Sequence, residues 1–211
     1  MQILTQTSTM PGSSFSLPAR RTCPGMLDAP SSVCTFCYAD DRKRYRWSCV
    51  KRSQAERFAW TLEALRTGSF VPVLVGHILA RRDRFIRLHD SGDFFSPVYV
   101  DAWADVVRSL PHVRFWAPTH SWAERGQLRN DADPLMVSLR SLAALSNITV
   151  RPSALFLGDE PPVIPGLAAG STVTIDRFRT TCPKYLRHPP FCGDCRSCWD
   201  SPSLPVTYLK H

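Results

Sequence analysis

Apolar positions along the chain repeat with two periods, and the switches between them divide it into alternating elements. Residues 47–66 place Val50, Ala55, Phe58, Ala59, Leu62 and Leu65 near helical spacing, with Gly68 as a stop. Residues 70–81 read as a second apolar helix, opened by Pro72 in its first turn. The period then shortens: residues 84–89 form a strand that runs into the polar turn Asp90-Ser91-Gly92-Asp93. Pro97 opens a helix to residue 110 built on Val98, Val100, Trp103, Val106 and Val107, and Pro111 stops it. Further strands are predicted at 113–117, 148–150 and 171–175, with a helix over 134–145. Residues 1–16, rich in Gln, Ser and Thr, read as poorly ordered.

This alternation predicts an α/β fold with a mostly parallel sheet, partial (β/α) barrel-like, with a cysteine-rich N-terminal loop and a C-terminal cluster-binding segment. The expected division is a poorly ordered start over 1–16, an α/β domain over 17–178 and a cysteine cluster segment over 179–211. In parallel sheets the carboxyl ends of the strands converge on one side, where sites form. Those ends carry His89, Asp90, Ser91 and Asp93, then Thr119, His120 and Ser121, then Arg151 and Ser153, then Asp176. Asp90, Ser91, Asp93, Thr119 and His120 are the expected cofactor-binding set of this face.

Composition changes the picture in two ways. The chain has 211 residues, enough to bury a core without disulfides, so its 8 cysteines call for another explanation. Residues 1–16 lack a charged segment followed by an apolar one, and the apolar run over 70–80 is too short to span a bilayer. A cytoplasmic location is therefore expected, where thiols stay reduced and C-x-x-C pairs read as metal ligands. The formal charge is +8, concentrated at Arg42, Lys43, Arg44, Arg46, Lys51 and Arg52. This patch suits an anionic partner such as nucleic acid, a nucleotide or an acidic protein, or simply a solvated helix start.

Seven cysteines fall into two groups. Cys23, Cys34 and Cys37 lie near the N-terminus, and Cys182, Cys192, Cys195 and Cys198 near the C-terminus. Three thiols at x-x spacing with a remote Cys182-Pro183 follow the logic of a ferredoxin-type cluster, although zinc also takes four thiolates. Three thiolates on a [4Fe–4S] cluster leave one iron open for chemistry. Cys49 as a fourth N-terminal ligand gives instead four plus four thiols and two structural zinc ions. No P-loop, G-x-G-x-x-G, H-E-x-x-H or G-x-S-x-G element occurs, which argues against NTPase, dinucleotide, zinc-protease and hydrolase chemistry.

Leu17-Pro-Ala, Thr22-Cys-Pro-Gly25, Cys34-x-x-Cys37-Tyr-Ala39, Leu88-His-Asp-Ser-Gly-Asp-Phe94, Phe115-Trp-Ala-Pro-Thr-His-Ser121 and Cys182-Pro with Cys198-Trp199 together resemble the phage gene product 88 family. That resemblance implies a phage origin and, with it, the host cytoplasm, but no reaction. Cys34-Thr-Phe-Cys37 also distantly resembles the second half of the radical S-adenosylmethionine signature, with ten residues rather than three before it. It implies a cluster on Cys23, Cys34 and Cys37 that binds S-adenosylmethionine at its open iron, with the turn at Asp90, Ser91 and Asp93 holding the cofactor's amino group. The Cys182/Cys192/Cys195/Cys198 cluster is then auxiliary. The alternative is a non-enzymatic phage protein, stapled by zinc or iron–sulfur, that binds nucleic acid or a host protein through the basic patch.

Overall fold

A computed structural model of the chain describes residues 2–40, 47–186, 188 and 190–210. In chain order the strands are β1 Thr5–Gln6, β2 Ser13–Phe15, β3 Phe85–Leu88, β4 Arg114–Thr119, β5 Ala123–Glu124, β6 Gln127–Leu128, β7 Ile148–Pro152, β8 Ser171–Thr174 and β9 Val206–Leu209. The helices are α1 Ser48–Thr67, α2 Phe70–Arg81, α3 Pro97–Ser109, α4 Pro134–Ala143 and the single turn α5 Ser197–Asp200. Their ends follow local chemistry. Gly68 closes α1 with φ 73°, a left-handed conformation that costs a glycine little. Ser96 and Asp133 cap α3 and α4 by accepting the amides of Tyr99 and Leu135, each with proline in the first turn.

The main sheet has the order β1-β2-β3-β4-β7; β1 is antiparallel to β2, and the other neighbours are parallel. β8 and β9 form a separate parallel pair, joined to the end of β7 by a parallel bridge between Ser153 and Ser171. The parallel strands therefore follow one another in chain order. Among the described residues no pairing closes the sheet into a barrel. No helix among them is long and apolar enough to cross a membrane.

The register gives the sheet two unlike faces. Phe15 pairs with Leu88, Ile86 with Phe115, Phe115 with Ile148 and Ala117 with Val150, so these side chains share one face. They join the apolar core with α2, α3 and α4, where Phe15, Phe70, Tyr99 and Trp103 meet edge to face. On the opposite face stand Phe85, Arg87, Trp116, Thr149 and Arg151. Trp199 of α5 covers that face: its ring packs on Phe85 and Trp116, and its indole donates to the carbonyl of Ile86. Thr149 donates to the Trp199 carbonyl at 2.7 Å.

Two readings of the sequence need correction. Residues 1–16, expected to be poorly ordered, carry β1 and β2, and β2 lies inside the sheet. Its serines are buried yet satisfied, Ser13 accepting from Arg81 and Ser14 sharing a hydrogen bond with Thr5, so a polar composition conceals a strand. Buried Arg57 of α1 ties the same segment down by donating to the carbonyls of Gln2 and Ser16. The second correction is β9, a strand that lies in the segment read only as a cysteine cluster. Helices α1 to α4 and strands β3, β4, β7 and β8 stand within a few residues of their predicted bounds, whereas β5, β6 and α5 were not foreseen.

Asn147, just before β7, donates from one amide nitrogen to the carbonyls of Val107, Leu110 and Val113, sealing the end of α3 against the sheet. Replacing it with alanine strands buried carbonyls, so Asn147→Ala is expected to cost about 1–3 kcal/mol in urea unfolding. A loss within error of zero would show that water replaces the amide.

Candidate functional site

The N-terminal cysteine loop lies across the carboxyl ends of β3, β4 and β7. Leu17 starts it, its amide donating to the Ser91 carbonyl at 2.9 Å, and the Asp93 amide donates back to the Thr22 carbonyl at 3.1 Å. Gly25 rests on the backbone of His120, where a Cβ would stand 1.8 Å from the carbonyl oxygen. Only glycine permits that approach. Further on, the Val33 amide donates to Leu155 and the Leu157 amide to Ser31, zipping the loop to the segment after β7. A 3-10 turn over Val33–Phe36, capped by Ser32, presents Cys34 and leads into Cys37.

Cys23, Cys34 and Cys37 are free thiols of intermediate exposure. Burial pushes the Cys23 thiol far up, and the charges of Asp93, Cys37 and Cys34 push the same way. Cys37 is likewise raised by burial and by Cys34. The three sulfurs thus lie within electrostatic reach of one another.

The five residues expected to bind a cofactor gather beneath this loop, and most of their polar atoms hold the loop in place. Asp93, 4 % exposed, accepts from its neighbour's amide at Phe94, from the Thr119 hydroxyl and from the His120 amide, each at 2.7 Å. Burial raises its carboxyl despite these donors. Ser91 donates to the Leu17 carbonyl and accepts from Gln54 at 2.8 Å. His120 donates from Nε2 to the Ala154 carbonyl at 3.1 Å. Asp90 pairs with Arg87 at 2.6 Å and accepts from the hydroxyl of Tyr38 at 3.1 Å, directly beside Cys37. Gly92 adopts φ 78° against Leu17 and Thr22, which explains the glycine in this turn.

The C-terminal group lies on the sheet face away from the helices. The Cys182 amide donates to Thr207 on β9 and the Cys192 amide to Thr9, so the segment is pinned from two sides. Cys198 lies in α5, with its sulfur 3.5 Å from the Tyr208 hydroxyl. Cys182 is pushed up to about 11 by burial, with the charges of Cys198, Cys192 and Cys195 adding to it. Cys192 is raised by burial and by the same neighbours. Burial raises Cys198 as well, while Arg151 and Arg87 act to lower it.

None of the eight cysteines is in a disulfide, and no group of three or more His, Cys, Asp or Glu side chains among the described residues is drawn into metal-ligating geometry. The donor set nonetheless suits a thiophilic metal or cluster: groups of three and four cysteines outside any disulfide, each coupled through its own charges. Cys49 is exposed in the first turn of α1. Of the basic patch, Lys51 and Arg52 are exposed on the same helix, whereas Arg42, Lys43, Arg44 and Arg46 lie outside the described residues.

Sequence reasoning missed Arg87 and Tyr208, and it placed Arg151 at a strand end of the site face without foreseeing its burial beside Cys198. Arg87 touches Asp90 and Tyr38 and stacks over Trp116 at 4.9 Å, so it stands between the two cysteine groups. The signal was present in outline, since an arginine inside the short apolar strand 84–89 requires a reason. His89 turns out not to face the site. With φ 63° it packs on Phe94 in the core and its Nε2 meets the Tyr99 hydroxyl at 2.9 Å.

Burial, and then the charge of Arg87, depress His89 to about 3. The unfolded chain, with an ordinary histidine near roughly 6.5, binds the proton first, so stability is full above that value and is lost as pH falls toward 3. Between pH 7 and 4.5, His89→Gln is expected to lose about 2–3 kcal/mol less than the unmodified chain in denaturant titrations. Equal losses would show that His89 protonates in the folded state.

Comparison with known proteins agrees with the motifs. Over 119 residues the chain is 32% identical to the Gene 88 protein of Mycobacterium phage L5 and 30% identical to that of Mycobacterium phage D29. Each alignment covers 50% of this chain and 46% of the relative, so the chain spans about half the length of the curated relatives it matches. No solved structure matches it. The sequence model of the family described as gene product 88 matches residues 2–201, nearly the whole chain, and the chain therefore belongs to the phage gene product 88 family.

Proposed function

We propose that this protein is a radical S-adenosylmethionine-like iron–sulfur enzyme with two cysteine-ligated centres. Cys23, Cys34 and Cys37 would hold an open [4Fe–4S] cluster, and Cys182, Cys192, Cys195 and Cys198 a closed auxiliary one. The observation that carries this reading is the sorting of seven cysteines outside any disulfide into a group of three and a group of four, each coupled by its own charges. A single divalent cation or cluster core turns such thiolate repulsion into attraction.

The fold supports the assignment of roles. Parallel strands in chain order, β2 to β3 to β4 to β7, with the β8–β9 pair joined through the Ser153–Ser171 bridge, would suit the wall of a partial α/β barrel. Cys23, Cys34 and Cys37 lie at the carboxyl ends of those strands, where such folds carry out their chemistry. When bound, a cluster on three thiolates would supply an iron with a free position, the place where S-adenosylmethionine binds in radical S-adenosylmethionine enzymes. This chain's own residues shape the site around it. Asp93, with Thr119 and the His120 amide, fixes the distance between the β3 and β4 ends. The Ser91-Gly92 turn is braced by Leu17 and Gln54, and Asp90 is oriented beside Cys37 by Tyr38 and Arg87. These contacts would hold the strand ends in a fixed arrangement beneath the thiols before any ligand arrives.

Iron, zinc and sulfide analysis of protein purified without oxygen tests the reading. About 8 Fe per chain with broad visible absorption is expected, and Cys37→Ala or Cys195→Ala should each remove about 4 Fe. Colourless protein with about 2 Zn would overturn the radical chemistry and leave a metal-stapled binding protein. Absence of both metals would overturn the two centres altogether.

A further inference from the structure

Arg151, on β7 at the edge of the main sheet and on the face covered by α5 and β9, is an unusual buried charge. It is 0% exposed, and its guanidinium donates only to backbone carbonyls: those of Ala169, Leu204 at 2.7 Å, Ser201 at 3.0 Å and Ser197 at 3.4 Å. Its Nε has no partner, and among the described residues no carboxylate lies within ion-pair distance. Carbonyl dipoles solvate a cation without neutralising it, and a buried charge without an opposite charge is strongly disfavoured. Arg87, on the same face, differs in this respect because Asp90 cancels its charge at 2.6 Å.

The groups facing Arg151 narrow the choice of anion. On the sheet its neighbour is Pro118, and Thr149 on its own strand is occupied by the Trp199 carbonyl. From β9 comes Tyr208, a phenol kept neutral by burial. From α5 comes Cys198. The two carbonyls that Arg151 holds through one nitrogen, Ser197 and Ser201, bracket that cysteine. The guanidinium therefore sets the position of the cysteine segment and awaits a negative charge from it.

We propose that Cys182, Cys192, Cys195 and Cys198 enclose a closed, net-anionic tetrathiolate metal centre whose anchor and counter-ion is Arg151. This rests on the metalloprotein reading above and goes beyond it by fixing the charge of one centre and the residue that balances it. Four thiolates around one divalent ion carry two surplus negative charges, and a four-iron core of the same charge leaves the same surplus. Arg151 is a positioning residue: it touches the backbone on either side of a ligand and offsets the charge of the filled site.

The test uses the full chain, stripped of metal under reducing, oxygen-free conditions and titrated with Co2+ as a tetrathiolate probe. Thermal unfolding is followed with and without the metal for the unmodified protein, Arg151→Met and Arg151→Lys. Arg151→Met is expected to weaken Co2+ binding about 10–100-fold and to shrink the rise in melting temperature on loading. Without metal it should melt below the unmodified chain, because the carbonyls of Ala169, Leu204, Ser201 and Ser197 lose their donor, but the deficit should be larger with metal bound. Arg151→Lys, which keeps the charge, should retain most of the rise, and this variant decides the matter if the methionine variant does not fold. If Arg151→Met lowers both melting temperatures equally and leaves Co2+ affinity unchanged, or if Arg151→Lys loses the rise entirely, Arg151 only braces backbone and the proposal is overturned. An unmodified chain that takes up no Co2+, Zn2+ or iron with its C-terminal thiols overturns the metalloprotein reading itself.

Discussion

The insertion of β2 between β1 and β3 is the constraint on which the rest of the molecule depends. Backbone groups in a buried sheet must find partners, so once Ser13–Phe15 pairs with Phe85–Leu88 its register and direction are settled. The chain then leaves the sheet at Leu17 on the side where β3, β4 and β7 also end, and the Leu17–Ser91 hydrogen bonds hold it there. Cys23, Cys34 and Cys37 arrive over the strand ends as a consequence. Had β2 paired in the opposite sense, the same loop would have emerged at the other end of the sheet, remote from Asp93 and His120.

The sheet separates two kinds of interior. One face is ordinary core, with interlocked aromatic rings beneath α2, α3 and α4. The other carries Arg87, Trp116, Thr149 and Arg151 under a thin cover formed by α5 and β9. A closed, dry core would not tolerate such charge, and here compensation is partial: Asp90 and Tyr38 serve Arg87 and the Trp199 carbonyl serves Thr149, whereas four carbonyls solvate Arg151 without cancelling its charge. Rigid bracing of this kind is expensive unless the face must hold something in place. Both cysteine groups border it, with Arg87 touching Asp90 and Tyr38 beside Cys37 and Arg151 holding the carbonyls on either side of Cys198.

Membership of the gene product 88 family ties the chain to phage proteins while leaving its chemistry to be read from its residues. The most informative of these are the satisfied ones. Asp93 is too fully bonded to act as a free ligand, so its contribution is the shape of the wall behind the thiols. His89, at a strand end like His120, is directed into the core instead, and its neutral ring belongs to packing. Position at a strand end is thus a poor guide to role, because the preceding backbone angle decides which side of the sheet a residue faces.

Much of the architecture was legible in the sequence. Helices α1 to α4 and strands β3, β4, β7 and β8 announce themselves through apolar period, prolines at helix starts and Gly68 at a helix end, because those signals act within a few residues. The two cysteine groups were legible for the same reason, spacing being a local property. What the sequence concealed lies at its ends. β2 and β9 are short and rich in serine, threonine or tyrosine, and they are strands only because neighbours distant in the chain supply their hydrogen-bond partners. Likewise, no local pattern marks Arg151 as buried or Arg87 as the link between cysteine groups. Those roles come from register and from the folding back of α5, contacts that join residues more than forty positions apart. Local spacing determined the elements and the metal-type thiols; the tertiary structure alone decided which charges are buried beside them.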